Sequence, residues 1–348
     1  MKASYAHYTL HFRQPAGTSR GVLTDKETYF LKLEDEDMPG VFGLGECAVF
    51  RGLSADDVPT YEDKLRECAP TSQPTKKPTC TSFRRYASDS KRQSTTLQTD
   101  AVASRSRPTS PKECRRYPPT AWCDGDKGRD AAPHRRQIKA GFTTIKLKVG
   151  AIDTESELDL VRHIRKVFPP EALTIRLDAN GGFTPDNALQ KLSDFARYGI
   201  HSIEQPIKQG QWEAMRRICS ESPIDIALDE ELIGIHTPER MGEMLDAVRP
   251  KYIILKPSLI GGFSGSQDWI MQAARRDIGG WVTSALESNV GLNAIAQWTA
   301  QLGARMPQGL GTGALFTNNI GSPLEQVGEV LRFNPAKTWQ LPELDWRQ

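Results

Sequence analysis

Lysines and acids recur at nearly even intervals through the second half of the chain, each at the end of a short apolar run. From Lys148 to Lys256, successive members of this set are 30, 26, 25 and 27 residues apart. Each interval is about the length of one strand plus one helix. In a parallel barrel such residues end successive strands, where these folds carry their chemistry. Acids beside lysines at that position indicate metal-assisted proton abstraction. The set is Lys146, Lys148, Asp178, Glu204, Asp229 and Lys256.

The three acids are candidate metal ligands. Asp178, Glu204 and Asp229 end three consecutive predicted strands, so we expect their carboxylates to converge. Oxygen-only ligation by carboxylates, water and substrate suits Mg²⁺, with Mn²⁺ as the second option. Each acid taken singly is more often a helix cap or a surface ion-pair partner. Three acids in register favour the metal site.

The lysines are candidate acid–base groups. Lys146 and Lys148 are two residues apart, so on a strand both point into the barrel mouth. Two adjacent ammonium groups disfavour each other's charge, which predicts a lowered lysine pKa and a general base. Lys256 is expected across the mouth from Lys148, where it opposes the base or stabilises an anion. Lysines on a solvated strand face are the ordinary alternative, and the acids between them favour catalysis.

The elements that position these residues are strand–helix units that begin near residue 142. Strands are predicted in TTIKLKV, LTIRLDA, HSIEQP, IDIALDE, YIILKPS, GWVTSAL and QGLGTG. Helices are predicted from Thr154, from Pro185, near Gln211, and over 237–247, 264–276 and 290–303. Seven barrel strands are therefore visible where a closed barrel has eight.

A smaller unit precedes the barrel. Strands are predicted over 4–12, 21–34 and 41–48, followed by a helix that Ser54 caps and that runs to Cys68. The chain is thus predicted to be α/β, a (β/α) barrel (modified TIM barrel) with an N-terminal α+β capping domain. The predicted boundaries are 1–70 for an incomplete capping domain, 137–325 for the barrel, and 326–348 for a C-terminal segment that packs on the cap.

One segment does not fit this pattern. Residues 71–133 carry 13 Lys and Arg against 6 Asp and Glu, with 17 Ser and Thr but only Leu97 and Val102 as aliphatic residues. Such a composition cannot bury a core face, yet the first barrel strand belongs here. We interpret residues 71–136 as anomalous, either disordered or a shifted reading frame between two nucleotide lesions. A nucleic-acid or membrane tether is the weakest interpretation, because the charges are dispersed and lack interleaved aromatics.

Composition narrows the class of protein. The six cysteines lack CxxC spacing and the density of a disulfide scaffold, which indicates reduced thiols. No apolar run reaches membrane-spanning length, and the first residues lack the apolar core of a signal peptide. We expect a soluble cytoplasmic protein, a monomer or homo-oligomer, that binds a small-molecule carboxylate and neither nucleic acid nor membrane.

Together, these motifs resemble the enolase superfamily, in its muconate-lactonising-enzyme subgroup, and within it the o-succinylbenzoate synthases. The points of similarity are KxK, DAN, EQP, ALDE, PAGTSRG, GLGEC, LKPSLIGG, SALESNVGL and GLGTGALFTNNI. The resemblance covers residues 1–69 and 137–345 and fails between them. It implies Mg²⁺-dependent dehydration of 2-succinyl-6-hydroxy-2,4-cyclohexadiene-1-carboxylate through an enediolate, in menaquinone biosynthesis.

The resemblance also implies roles for individual residues. Lys148 would remove the proton alpha to the carboxylate and then help the β-hydroxyl leave, Lys256 would stabilise the enediolate, and Lys146 would tune Lys148. The three acids would hold Mg²⁺. Loops that cover and line the ligand would contain Phe50–Leu53 and the substrate contacts Ser284, Gly311, Thr312 and Arg20.

Two alternatives stay open. N-acylamino-acid racemisation or a related epimerisation would use Lys148 and Lys256 as two bases on opposite faces of the substrate. Dipeptide epimerases typically carry Asp-x-Asp where this chain has SALES, which argues against that branch of the alternative. The other possibility is an inactive frameshifted product that retains the catalytic residues without a complete barrel.

Overall fold

The computed structural model of the protein describes residues 2–18, 21–34, 37, 42–68, 121–123, 141–304 and 306–348. Its N-terminal part is an antiparallel sheet of β1 (Lys2–Thr18), β2 (Gly21–Glu34) and β3 (Phe42–Cys47), in that order. The register of β1 against β2 shifts between His11 and Ala16. A short helix, α1 (Tyr61–Cys68), follows.

The first helix begins later than predicted. Ser54 is not its cap; the Ser54 hydroxyl oxygen accepts a 2.9 Å hydrogen bond from the amide of Phe50 and closes a turn. Pro59 explains the delay, because the residue before a proline is disfavoured in the helical region. The turn that remains places Phe50 and Leu53 over the barrel.

Among the residues that the structure describes, the large sheet is parallel and has seven strands, ordered along the sheet as in the sequence. Alternate apolar side chains of these strands, such as Ile145, Leu147 and Ile175, lie in the core, as expected where helices cover a parallel sheet. The strands are β4 (Ala121–Cys123), β5 (Thr144–Lys148), β6 (Thr174–Asp178), β7 (Ser202–Glu204), β8 (Asp225–Leu228), β9 (Tyr252–Leu255) and β10 (Gly279–Val282).

Six helices follow these strands close to their predicted positions. Three start at side-chain caps: Asp153 accepts from the Ser156 amide, Thr237 from Arg240, and Ser288 from Val290. The helices are α2 (Thr154–Val167), α3 (Ala188–Ala196), α4 (Trp212–Glu221), α5 (Pro238–Val248), α6 (Gly262–Ala274) and α7 (Asn289–Gln301).

The strand inventory differs from the prediction at both ends of the sheet. The structure places β4 inside 71–136, where the first barrel strand was missing from the sequence pattern, and pairs it in parallel with β5. The frameshift interpretation otherwise falls on residues outside the described ranges. The predicted strand QGLGTG is not a strand: Gly309 makes a single parallel bridge to Thr283, and Gly311–Ala314 is a 3₁₀ turn. Its three glycines supply no side chains for a strand to pack.

The C-terminal segment lies against the N-terminal sheet. A hairpin of β11 (Leu324–Val327) and β12 (Val330–Phe333) leads to the last residues, where Arg347 bridges the backbone of Tyr5 and pairs with Glu62 at 2.9 Å. Within the described ranges, none of the helices has the length and apolar character needed to cross a membrane. The exact domain boundaries remain a prediction.

Candidate active site

Strand register brings the predicted lysines and acids to one end of the barrel sheet. Lys148 lies opposite Asp178 in the β5–β6 pair, and Asp178 lies opposite Glu204 in the β6–β7 pair. Asp229 directly follows β8, and Lys256 directly follows β9. All of them therefore stand at the carboxyl ends of neighbouring parallel strands, the end where barrel enzymes carry their chemistry.

Lys146 forms a buried double ion pair. Its Nζ atom lies 2.8 Å from Asp178 Oδ2 and 2.7 Å from Glu204 Oε2. Burial lowers the pKa of Lys146, but the two carboxylates outweigh burial and hold the pKa above its usual value. The expectation that the paired lysines depress each other's pKa is therefore wrong for Lys146, because carboxylates rather than a second ammonium surround it.

Lys256 forms the corresponding pair on the other side. Its Nζ atom donates to Asp229 Oδ2 and lies 3.8 Å from Glu204 Oε1. Burial lowers the pKa of Lys256, and the carboxylates, led by Asp229, raise it above its usual value overall. Both buried lysines are thus cations that offset part of the negative charge of the acids.

The three acids differ in how well they are compensated. Burial raises the pKa of Asp178, but Lys146, Lys148 and Lys256 together bring it below its usual range. Burial and the Asp178 carboxylate raise the pKa of Glu204 to about 7. The pKa of Asp229 is also raised, mainly by burial. The positive charge of the neighbouring lysines therefore does not fully compensate the three carboxylates.

The carboxylate oxygens of the three acids suit a divalent cation. Glu204 Oε1 is buried and makes no hydrogen bond to any described residue. The donors are carboxylate oxygens only, the set that Mg²⁺ prefers. Within the described ranges no three His, Cys, Asp or Glu side chains already form a metal cluster, because the Lys146 and Lys256 ammonium groups stand between the carboxylates. The residues therefore suit a divalent cation that would take over those ion pairs.

Lys148 has a different environment, which the sequence did not reveal. Its Nζ atom donates a 2.9 Å hydrogen bond to Asn180 Oδ1. The Asn180 amide group donates at 3.1 Å to Glu230 Oε1, and its backbone amide donates at 3.0 Å to Asp178 Oδ1. Burial raises the pKa of Glu230. The available signal was local: Asn180 completes the DAN motif and Glu230 follows Asp229.

An open cavity covers these groups. Phe50 and Leu53 from the N-terminal part line it, together with Lys146, Lys148, Asp178, Glu230 and Lys256. Ser284 and Thr312, two of the predicted substrate contacts, line it as well. Gly311 precedes Thr312 in the 3₁₀ turn without lining the cavity, and Arg20 lies outside the described residues.

Ser284 and Thr312 are bonded to each other. The Thr312 hydroxyl donates to Ser284 Oγ at 2.8 Å, and the Leu286 amide donates to the same oxygen at 3.0 Å. Leu286 has a φ of 65°, a backbone region that side chains other than glycine rarely adopt. The Ser284 oxygen thus holds a tight turn, and the Ser284 proton is the part that can donate into the cavity.

Arg176 and Trp281 form another wall of the cavity, which the sequence analysis missed. The Arg176 guanidinium lies 3.9 Å from the centre of the Trp281 ring, and its Nη1 donates to the Pro307 carbonyl at 3.0 Å. Burial lowers the pKa of Arg176 to about 10. The signal was strand alternation, since Arg176 lies two residues before Asp178 and shares its face.

Comparisons with known proteins agree with this geometry. The family model for the enolase C-terminal domain-like family matches residues 130–323. An o-succinylbenzoate synthase from Desulfotalea psychrophila is 41% identical over 95% of this chain and 98% of its own length. The crystal structure of MenC from the same organism superposes with a TM-score of 0.74 at 36% identity, covering 95% of this chain and 99% of that one.

A second activity also occurs among the relatives. L-Ala-D/L-Glu epimerase from Bacillus subtilis is 30% identical to this chain over 173 residues, which is 49% of this chain and 46% of the epimerase. The sequence match to the epimerase is thus limited to about half of each protein.

Proposed function

Because the chain belongs to the enolase superfamily, we propose that it is a dehydratase that converts 2-succinyl-6-hydroxy-2,4-cyclohexadiene-1-carboxylate to o-succinylbenzoate. The near-full-length similarity to the Desulfotalea psychrophila synthase is the observation that carries this proposal. Enzymes of this superfamily generally use a Lys or His base together with Mg²⁺ that stabilises the enediolate. We assign the reaction to menaquinone biosynthesis in the cytoplasm.

Proton transfer is assigned to Lys148. As a neutral amine, its Nζ takes the proton from the carbon alpha to the substrate carboxylate, and the electron pair left behind makes the enediolate. The resulting ammonium returns that proton to the β-hydroxyl, the carbon–oxygen bond breaks, and water leaves as the ring becomes aromatic. Lys148 ends as the neutral amine, so it is not consumed.

Charge stabilisation is assigned to the other groups. A divalent cation held by Asp178, Glu204 and Asp229 would offset the second negative charge that builds up on the substrate carboxylate. Lys256, held on the neighbouring strand end by Asp229, contributes an ammonium charge to the same anion. Lys146, ion-paired with Asp178 and Glu204, contributes a second one and contacts the carboxylate.

Substrate placement is assigned to the walls of the cavity. The Ser284 hydroxyl donates to the succinyl carboxylate and is oriented by Thr312, whose hydroxyl donates to Ser284 Oγ, while Phe50 and Leu53 exclude water from the ring. Arg20, which lies between β1 and β2 in the sequence, is proposed as a further contact.

Epimerisation or racemisation is the second candidate, favoured by the similarity to the Bacillus subtilis epimerase. One purified preparation should be assayed with the cyclohexadiene carboxylate and with an N-succinylamino acid, both with Mg²⁺. Aromatic product from the first substrate supports the proposal. Racemisation of the second without any dehydration would overturn it, and the absence of both reactions in a folded protein would favour the inactive product.

A further inference from the structure

Three charged side chains are buried between the N-terminal sheet and the barrel loop that follows β10. Lys26 on β2 is 5% exposed, Glu46 on β3 is 3% exposed, and Glu287 in the SALES segment is 1% exposed. Isolated buried charges are costly, so these side chains must compensate one another. We call Lys26, Glu46 and Glu287 the interface charge cluster.

Glu46 attaches the N-terminal sheet to the start of α7. Its Oε1 accepts from the Thr28 hydroxyl at 2.8 Å and from the Ser288 amide at 2.9 Å. Its Oε2 accepts from the Ser288 hydroxyl at 2.5 Å and from the Gly291 amide at 2.9 Å. A carboxylate from the capping strands thus satisfies amides at the N-terminus of a barrel helix, a favourable place for negative charge.

Glu287 shapes the wall of the cavity. Its Oε2 accepts from the Ala285 amide at 2.7 Å, across the turn that contains the left-handed Leu286. Its Oε1 accepts from the Ser258 hydroxyl at 2.5 Å, two residues after Lys256. One carboxylate therefore fixes the turn Ser284–Leu286 to the loop that carries a proposed catalytic lysine.

The two carboxyl side chains meet at Gly291. A Cβ atom at this position would lie 2.9 Å from Glu46 Oε2 and 2.8 Å from Glu287 Cβ. Both distances are shorter than carbon tolerates without displacement. Glycine in α7 is thus required for the close approach of Glu46 and Glu287.

Lys26 supplies the countercharge. Its Nζ atom is buried and makes no hydrogen bond to any described residue. Burial lowers the pKa of Lys26, while the charges of Glu46 and Glu287 act in the opposite direction. The ammonium group therefore acts on both carboxylates through space rather than through a direct bond.

We propose that the interface charge cluster is a positioning device: Lys26 and Glu46 of the N-terminal sheet hold Glu287, and through it the Ser284–Leu286 wall, in the shape that binds substrate. None of the three touches the reacting atoms. The kinetic part of this inference rests on the proposed function, whereas the structural part does not. A role in stability alone would lower the melting temperature without changing the wall.

The first test is Lys26→Met, which keeps the length of the side chain and removes its charge. Hydrogen exchange is measured for the amides of residues 284–291, several of which donate to Glu46 or Glu287. We expect exchange in this segment to quicken about tenfold. We also expect KM for the cyclohexadiene carboxylate to rise about tenfold, with kcat and the Mg²⁺ concentration for half-activation within about twofold.

Lys32→Met is the matched control, since Lys32 is also on β2 but contacts Glu34 at 3.2 Å and the Trp346 ring at 4.8 Å. It should change neither exchange in 284–291 nor KM. Gly291→Ala, which displaces both carboxylates while favouring the helix, should reproduce the Lys26→Met effects. If Lys26→Met does not fold, the same measurements on Gly291→Ala test the proposal.

The outcomes separate the two proposals. Unchanged exchange in 284–291 for a folded Lys26→Met or Gly291→Ala protein would overturn the positioning role, whatever the substrate. A loss of kcat with KM unchanged would also overturn it. If wild-type protein does not dehydrate the substrate but both variants quicken exchange, the proposed function fails and the positioning role stands.

Discussion

The Nζ atom of Lys148 donates a 2.9 Å hydrogen bond to Asn180 Oδ1, and the amide group of Asn180 donates in turn to Glu230. The proposed base is thus oriented by a residue that also contacts Asp178, one of the three proposed ligands. Asn180 has a φ of 42°, which asparagine tolerates better than most residues. Orientation of the base and shape of the metal site are linked at this residue.

Asn180→Ala should slow the chemical step because it frees the Lys148 amine to adopt other rotamers. We expect kcat to fall by about 10- to 100-fold with KM changed less than about threefold. Steady-state kinetics across pH measure this. Asn187→Ala, which loses only a local bond to Thr184 at the start of α3, is the control, and an equal loss in both variants would contradict the role.

The two lysines should respond differently to substitution. Lys148→Met removes the proton acceptor, and we expect kcat to fall by at least about 1,000-fold. Lys256→Met should cost about 100-fold through lost charge, whereas Lys256→Arg keeps that charge and should retain about a tenth of the activity. Dehydration rates of the three variants measure this. Equal inactivity of Lys256→Arg and Lys148→Met would point to two bases and hence to racemisation.

The raised pKa of Glu204 leads us to predict that, without a divalent cation, the protein becomes less stable as pH rises. Its pKa is raised to about 7 in the folded state, so the unfolded state releases this proton first as pH rises. Protonated Glu204 therefore contributes to the free energy of unfolding, and this contribution is fully present below the pKa of the unfolded state. It is lost as pH rises through about 7, which lowers the free energy of unfolding by up to about 3 kcal/mol. The lowered pKa of Asp178 acts only at more acidic pH.

Thermal melts in chelator should therefore show a lower melting temperature at pH 7.5 than at pH 5.5. Mg²⁺ should restore stability at the higher pH, because it favours the ionised carboxylates. Glu204→Gln should weaken the dependence on pH, and the raised pKa of Asp229 should leave a remaining dependence of the same sign. A melting temperature that rises over this range in chelator would contradict the raised pKa.

Gly309 allows the chain to close against β10. A Cβ atom there would lie 2.2 Å from Thr283 Oγ1, so Gly309→Ala should destabilise the protein by about 1–3 kcal/mol. Denaturant unfolding measures this. Thr283→Ala in the same chain should recover part of the loss, and Gly45→Ala, with no atom within 4 Å of its Cβ, should show no steric loss.

Some of this architecture was readable from the sequence. The apolar runs that end in Asp178, Asp229 and Lys256 repeat at the length of a strand–helix unit, and the family resemblance gave the barrel and its cap. Strand β4 was not readable, because Ala121–Cys123 is three residues inside a polar, basic segment. The start of α1 was misplaced because Ser54 resembles a cap while Pro59 prevents the helix.

Contacts between distant segments were the other part that sequence could not supply. The pKa of Lys146 depends on Asp178 and Glu204, which reach it from other strands. The charge of Glu287, more than two hundred residues away along the chain, acts on the pKa of Lys26 against the effect of burial. Periodicity indicates which face a residue occupies, but not which charge it meets there.

The most direct measurement is the Mg²⁺-dependent conversion of 2-succinyl-6-hydroxy-2,4-cyclohexadiene-1-carboxylate to o-succinylbenzoate, followed by absorbance with wild-type protein and with Lys148→Met. We expect conversion by the wild type with Mg²⁺, loss of it in chelator, and no measurable conversion by a Lys148→Met protein that melts like the wild type. Conversion by Lys148→Met at the wild-type rate, or none by folded wild-type protein with Mg²⁺, would contradict the assignment.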